Sequence, residues 1–166
     1  MNEKIKEQRA QMKTFKDFTD GKGYINLSVT DDDKKKLFNI LKKLGIKDYI
    51  QKLHLTLMYD RSNPKINVIP NDKKYSAKIV TFKTLGEPDS KWYSIALGLE
   101  SQELNDRYEE LKKMGFTHSY PTFVAHVSLK YKPSEDDIKT LNDNIDLFKE
   151  LGNIHLCDEK IKKIEG

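Results

Sequence analysis

Two tetrapeptides of one pattern constrain this chain more than anything else in it. His54-Leu55-Thr56-Leu57 and His126-Val127-Ser128-Leu129 each read histidine, apolar, hydroxyl, apolar, and the second stands 72 residues after the first. Side chains alternate along a strand with period two. As a strand, each tetrapeptide buries its aliphatic residues on one face and lifts an imidazole and a hydroxyl onto the other. One such strand is half of a site. Two of them, each preceded by its own helix, predict a duplicated α+β architecture in which the halves face each other.

The surrounding pattern supports that layout. Residues 3–18 carry a loose apolar stripe, Ile5, Met12, Phe15 and Phe18, and predict a helix stopped at Asp20-Gly21-Lys22-Gly23. This gives an N-terminal helix over 1–21 appended to one domain over 22–166. Tyr24 to Val29 alternates as a strand with Ile25, Leu27 and Val29 on one face and Tyr24, Asn26 and Ser28 on the other. Thr30 and the three aspartates after it predict the start of a helix, and Gly45 its end. The first histidine strand comes next, from Lys52 to Tyr59. A loop from Pro64 to Lys74 leads to a hairpin, Tyr75–Leu85 and Lys91–Leu97, around Gly86-Glu87-Pro88-Asp89. In its second strand Trp92 shares a face with Ser94 and Ala96, a mixture of one aromatic and small residues that suits a ligand. Ser101 and Gly115 bracket the next helix. The second histidine strand, Thr122 to Lys130, precedes a helix from Pro133-Ser134-Glu135, and the tail predicts a final strand or hairpin.

Composition matters here for what it excludes. A formal net charge of +4 from 30 basic and 26 acidic residues favours an anionic ligand. No dense basic tract interleaved with aromatics marks a long nucleic acid as partner. Cys157 is the single cysteine, so an intramolecular disulfide and a multi-cysteine metal site are both excluded, and a reducing cytoplasm suits the chain. No apolar run approaches the length of a membrane span and no apolar leader opens the chain. Phosphate-loop, nucleophile-elbow and dinucleotide-binding glycine patterns are missing.

The chemistry of two imidazoles and two hydroxyls around one cavity is specific. A neutral imidazole takes a proton while a charged one gives one. In-line cleavage of an RNA-type phosphodiester needs that pairing: one group deprotonates a 2′-hydroxyl or a water, and the other protonates the leaving oxygen. His54 and His126 are the candidates for the two roles. Thr56 and Ser128 would donate to the non-bridging oxygens, where charge accumulates. No metal or other cofactor is expected, since each strand offers one histidine. Asp60 is the one carboxylate sharing the parity of His54. Lys130 shares that of His126 and Ser128; it either adds positive charge beside the phosphate or, as the weightier reading, stands exposed to solvent at the strand end. His118 and His155 carry no accompanying pattern.

The residues Leu-His-Leu-Thr-Leu-Met-Tyr-Asp (53–60) and Ala-His-Val-Ser-Leu-Lys-Tyr (125–131) resemble the motifs of the two-histidine (2H) phosphoesterase superfamily, and look most like its phage branch of anti-CBASS nucleases. The resemblance covers roughly residues 22–165. It implies a bilobal, pseudo-twofold α+β fold with two antiparallel sheets around a central cleft and helices outside. It implies a metal-independent phosphodiesterase that hydrolyses 3′–5′ bonds of the cyclic di- or trinucleotide signals of bacterial immunity, in the host cytoplasm. His54 and His126 would be the acid-base pair, with Thr56 and Ser128 binding phosphate. Members of that branch hold nucleotide bases on aromatic residues. Tyr24 and Trp92 stand where that is expected, with an ordinary edge aromatic as the alternative reading of each. Asp158 and Glu159 are the acidic residues near the C-terminus available to read a base. Two other enzymes remain as alternatives, a 2′,3′-cyclic phosphodiesterase of RNA processing and a 2′,5′-oligonucleotide phosphodiesterase. A protein that sequesters a cyclic nucleotide without cleaving it is the alternative from another class. The expected partner is a cyclic nucleotide and not a membrane; the oligomeric state is not legible.

Overall fold

A computed structural model describes residues 21–120 and 122–165; the helix expected over 3–18 lies outside them. The element order is β1 (Tyr24–Val29), α1 (Asp31–Lys43), β2 (His54–Tyr59), β3 (Tyr75–Leu85), β4 (Ser94–Glu100), α2 (Gln102–Lys113), β5 (His126–Tyr131), α3 (Glu135–Asp143), α4 (Ile145–Lys149) and β6 (Asn153–Lys162). Both histidines of the repeated motif begin a strand.

The helices start and stop where local chemistry tells them to. Three aspartates occupy the first turn of α1 and two lysines its last, complementing the helix dipole, and Gly45 takes the left-handed conformation just beyond it (φ +76°). Thr30 stands at the N-cap but makes no capping bond. Ser101 accepts the Leu104 N–H at the start of α2, and Ser134 forms a reciprocal capping box with Asp137 at the start of α3.

All six strands belong to one antiparallel sheet, in the order β2-β1-β6-β3-β4-β5. The expectation of two separate sheets is corrected by β6. Its middle and end pair with β1, while its start, Asn153 to Leu156, pairs with Lys78 to Tyr75 of β3. The tail is thus one long strand in the middle of the sheet. It joins two three-stranded halves, β2-β1-β6 and β5-β4-β3. The sheet bends so that its outermost strands, β2 and β5, approach each other. The Ile50 N–H, just ahead of β2, donates to the Leu129 carbonyl of β5 at 2.7 Å.

One face of this sheet packs a single core that runs through both halves. Ile25, Leu27, Leu55, Leu57, Ile95, Leu97, Val127, Leu129, Ile154 and Leu156 are all fully buried, against Leu37 and Leu41 of α1, Leu104 and Leu111 of α2, Leu141 of α3 and Phe148 of α4. The opposite face carries the histidines. Helix α2 connects two strands of the second half but also packs against β2 of the first, and its Arg107 meets Glu159 of β6. The loop after it straps the end of β2. The Thr117 N–H donates to Asp60 Oδ2 at 2.8 Å, the Tyr59 N–H to His118 Nδ1 at 3.1 Å, and the Ser119 N–H to the Tyr59 carbonyl at 2.8 Å.

The duplication extends to an irregularity. In the β1–β2 pair, Ile25 faces Met58 but Asn26 faces Thr56, which leaves Leu57 as an extra residue. In the β4–β5 pair, Ile95 faces Lys130 but Ala96 faces Ser128, which leaves Leu129 extra. The bulge therefore falls one residue after the motif hydroxyl in both halves. A bulge breaks strict alternation. Leu57 and Met58 are both buried, and the residues beyond them change face.

Candidate active site

The histidine face is assembled from equivalent pieces of the two halves. His54 is registered against Ser28 and His126 against Gly98; Thr56 is registered against Asn26 and Ser128 against Ala96. Residues directly opposite on paired strands share a face. His54 and His126 lie close enough that the charge of one acts on the other.

Both imidazoles are held in the same way. His54 Nδ1 lies 3.2 Å from the Lys52 carbonyl and His126 Nδ1 lies 2.7 Å from the Val124 carbonyl, in each case two residues upstream. A carbonyl only accepts, so Nδ1 carries the hydrogen in both rings. Nε2 of each ring has no protein partner among the described residues. It is a lone pair when the ring is neutral and a donor when it is charged. Burial is the main influence on His126 and pulls its pKa below the usual histidine value; the Val124 carbonyl opposes this, and the charges of His54 and Lys83 add to it.

The two hydroxyls are paired as well. Tyr24 OH and Thr56 Oγ1 are 3.3 Å apart, and Ser94 Oγ and Ser128 Oγ are 3.1 Å apart. Each pair has two hydroxyl hydrogens and uses one between its members, so one remains for an incoming acceptor. Tyr24 therefore orients the Thr56 hydroxyl through its own. Its ring packs edge-on against Tyr59, with centroids 5.8 Å apart.

Trp92 belongs to the turn before β4, not to the strand expected from Lys91 onward. Glu87-Pro88-Asp89-Ser90 closes on itself through the Ser90 N–H to the Glu87 carbonyl, and Ser90 Oγ accepts the Trp92 N–H, which delays the strand to Ser94. The indole is 63% exposed and meets Tyr131 edge-on at 5.8 Å.

The bulges overturn two readings and add two residues. Strict alternation puts Asp60 and Lys130 on the histidine face. Instead the Asp60 carboxylate is buried and accepts the Ser62 N–H, the Ser62 hydroxyl and the Thr117 N–H. Burial alone would raise its pKa, but these hydrogen bonds outweigh it and the value falls. Lys130 is bound by Asp137 at 2.7 Å. Tyr59 and Tyr131 occupy equivalent places, five residues after each histidine, and the bulges turn them toward Tyr24 and Trp92. The repeated tyrosine and the paired apolar residues Leu57-Met58 are the signals for this in the chain.

Lysines that motif spacing does not reveal join the same face. Lys83 of β3 is registered against Ala96, and Lys160 of β6 against Asn26, so both lie with the histidines. Glu159, by contrast, points into the core, where Arg107 holds it in two hydrogen bonds of 3.0 and 2.8 Å, so it is a structural residue and not a base reader. Asp158 stands exposed at the β6 bulge with φ +57°. His118 accepts a backbone N–H and packs against Tyr108 and Tyr120, and His155 contacts Asp33 at the start of α1.

A sequence model of the family described as Anti-CBASS protein Acb1 matches residues 22–161, which takes in every strand but the last residue of β6. The Anti-CBASS protein Acb1 of Vibrio phage KVP40 is 27% identical to this chain over 119 residues, 70% of this chain and 74% of its own. No helix among the described residues is long and apolar enough to cross a membrane. With a family match over most of its length, spanning both histidine strands and everything that positions them, the chain belongs to the Acb1 family of anti-CBASS proteins.

Proposed function

We propose that this protein is a metal-independent phosphodiesterase of the 2H type that opens and cleaves cyclic di- or trinucleotide signals at their 3′–5′ bonds. The observation that carries this reading is the matched pair of imidazoles. Each is tethered through Nδ1 to the carbonyl two residues upstream, and each leaves Nε2 for proton transfer. Membership of the Acb1 family supports an anti-CBASS role and a cyclic oligonucleotide as the partner.

The lowered pKa of His126, caused chiefly by desolvation, favours its neutral form and suits it to be the base, with His54 as the acid. His126 Nε2 takes the proton from the ribose 2′-hydroxyl as O2′ bonds to phosphorus. The P–O5′ bond breaks, and His54 Nε2–H protonates the departing O5′. A 2′,3′-cyclic phosphate results. In its hydrolysis the roles reverse: neutral His54 takes a proton from water, and charged His126 returns its proton to O2′. Both rings end as they began. The spare hydrogens of the Tyr24–Thr56 and Ser94–Ser128 pairs donate to the non-bridging oxygens, where negative charge builds up. Tyr24 and Trp92, with Tyr59 and Tyr131 beside them, offer faces and edges on which bases stack, each such contact typically worth about 1–3 kcal/mol.

The direct test incubates the protein with a panel of cyclic di- and trinucleotides in EDTA and follows products by mass spectrometry. Linear products ending in a cyclic or terminal phosphate are expected. Intact rings throughout would overturn the reading, and bound but uncleaved nucleotide would replace it with sequestration. Activity abolished by EDTA and restored by a divalent metal would overturn the metal-free mechanism.

The pH profile is a second expected result. The base must be neutral, so kcat/KM falls as pH drops through the pKa of His126. Its depressed value places the midpoint of that acid limb below the ordinary histidine value of about 6.5. An acid limb at or above that value would assign the base to another group.

A further inference from the structure

Lysines remain on this face after the acid-base pair and the hydroxyls are accounted for, and two of them, Lys83 and Lys160, hold the same place in the two halves. Thr56 is registered against Asn26, and Asn26 against Lys160. Ser128 is registered against Ala96, and Ala96 against Lys83. Each lysine thus lies two strands in from its motif hydroxyl on the same face, a lateral distance of roughly 10 Å. A long flexible stem shortens that distance.

The path of Lys83 is visible at Gly98, the residue registered against His126. A Cβ placed on Gly98 would stand 3.4 Å from Lys83 Cε, so the lysine stem runs alongside the residue that faces His126. Both lysines are exposed, and neither forms an ion pair among the described residues. Lys34, Lys73, Lys130 and Lys139 do form such pairs.

We infer that Lys83 and Lys160 form a pseudo-symmetric pair of phosphate-binding residues that engage two different phosphodiesters of one cyclic oligonucleotide. The inference rests on the phosphodiesterase reading and deepens it. Such a ring carries one negative phosphodiester per nucleotide, and only one can lie between the histidines. The hydroxyl pairs are uncharged, and a neutral His126 contributes no charge to the second phosphate. One phosphodiester lies between the histidines and the next across the ring, and the face offers an exposed cation on either side, so each lysine meets one of them. Lysine, a point charge without fixed direction, suits phosphates that shift as the ring opens.

The test measures binding by titration calorimetry. The probes are bis-phosphorothioate cyclic di-AMP, cyclic di-GMP and the mixed AMP–GMP ring, at several salt concentrations. The proteins are the wild type, Lys83→Gln, Lys160→Gln, the two arginine variants, and Lys139→Gln as a remote charge control. Each glutamine variant is expected to weaken binding by about tenfold, as loss of a charge-assisted contact does. Each should also flatten the dependence of log Kd on log salt, since one screened charge contact is lost. Arginine should restore most of the affinity, and Lys139→Gln should change neither quantity. Wild-type Kd and slope in either glutamine variant would overturn the pair while leaving the phosphodiesterase reading intact. An equal loss in Lys139→Gln would reduce the effect to net charge and also overturn it. A wild type that binds none of these probes, and leaves the unmodified di- and trinucleotide rings of the product assay intact, would overturn the phosphodiesterase reading and this inference with it.

Discussion

Replacing His126 or His54 with alanine is expected to lower the rate of ring opening by about 10²–10⁴, the usual worth of general acid-base catalysis, with little change in ligand affinity. In the proposed mechanism each imidazole supplies one proton transfer, and the transfers occur on opposite sides of phosphorus. Neither ring can therefore take over the other's task in the same step. The double variant should lose less than the product of the single losses, because the two act in one transition state. Steady-state rates and Kd values on the cyclic nucleotide cleaved best would check this. A near wild-type rate in either single variant would refute the paired mechanism. The two variants should differ in pH dependence. In His54→Ala the acid limb set by His126 persists, whereas in His126→Ala it disappears. The tether to Val124 is shorter than that to Lys52, 2.7 against 3.2 Å, so the ring assigned as base is also the more tightly oriented.

The part of the site legible in the chain is the part that depends only on local alternation. His54, Thr56, His126 and Ser128 lie within three residues of each other in pairs. The first turn of each strand keeps strict period two, so their shared face is set by spacing. Ser94 and Tyr24 are readable on the same ground. One residue further the rule fails. The bulges at Leu57 and Leu129 exist because β2 and β5 must fit the register of β1 and β4, and that register is a tertiary property. Alternation alone therefore puts Asp60 and Lys130 on the wrong face and misses Tyr59 and Tyr131. Lys83 and Lys160 require still more: the strand order, two further registers and the shifts at Val80 and Asp158-Glu159. The merging of two expected sheets into one is of the same kind. It depends on four residues of β3 meeting four of β6, and nothing in Tyr75 to Lys78 announces its partner. Helix ends, by contrast, are largely legible, since caps and glycines act within a few residues.

Arg107→Met is expected to destabilise the fold by about 3–5 kcal/mol, the cost of leaving a buried charge without its partner. The Arg107 side chain is 6% exposed and that of Glu159 is fully buried. The guanidinium donates from Nε and Nη2 to the two oxygens of Glu159, and from Nη1 to Glu110. The Asn71 N–H donates to the same carboxylate at 2.7 Å, so one ion pair joins α2, β6 and the loop that precedes β3. Its charge is felt nearby: burial and then Glu159 push the Tyr75 hydroxyl up to about 12. Without the arginine, the carboxylate either takes up a proton or draws water toward Leu27, which lies opposite the Glu159 bulge. A double variant, Arg107→Met with Glu159→Leu, should recover most of the loss, because removing both partners leaves no uncompensated charge. Urea unfolding followed by circular dichroism measures both. A single variant within about 1 kcal/mol of wild type would mean that the pair is hydrated in solution and is not the clasp its geometry describes. The same clasp bears on the site, because Lys160 is the next residue after Glu159. Its place beside Asn26 depends on the bulge that the ion pair holds. Arg107→Met should therefore also weaken binding of the cyclic probes at temperatures where the variant is still folded. The double variant should restore stability more completely than it restores that affinity, since leucine at 159 packs the core without fixing the bulge.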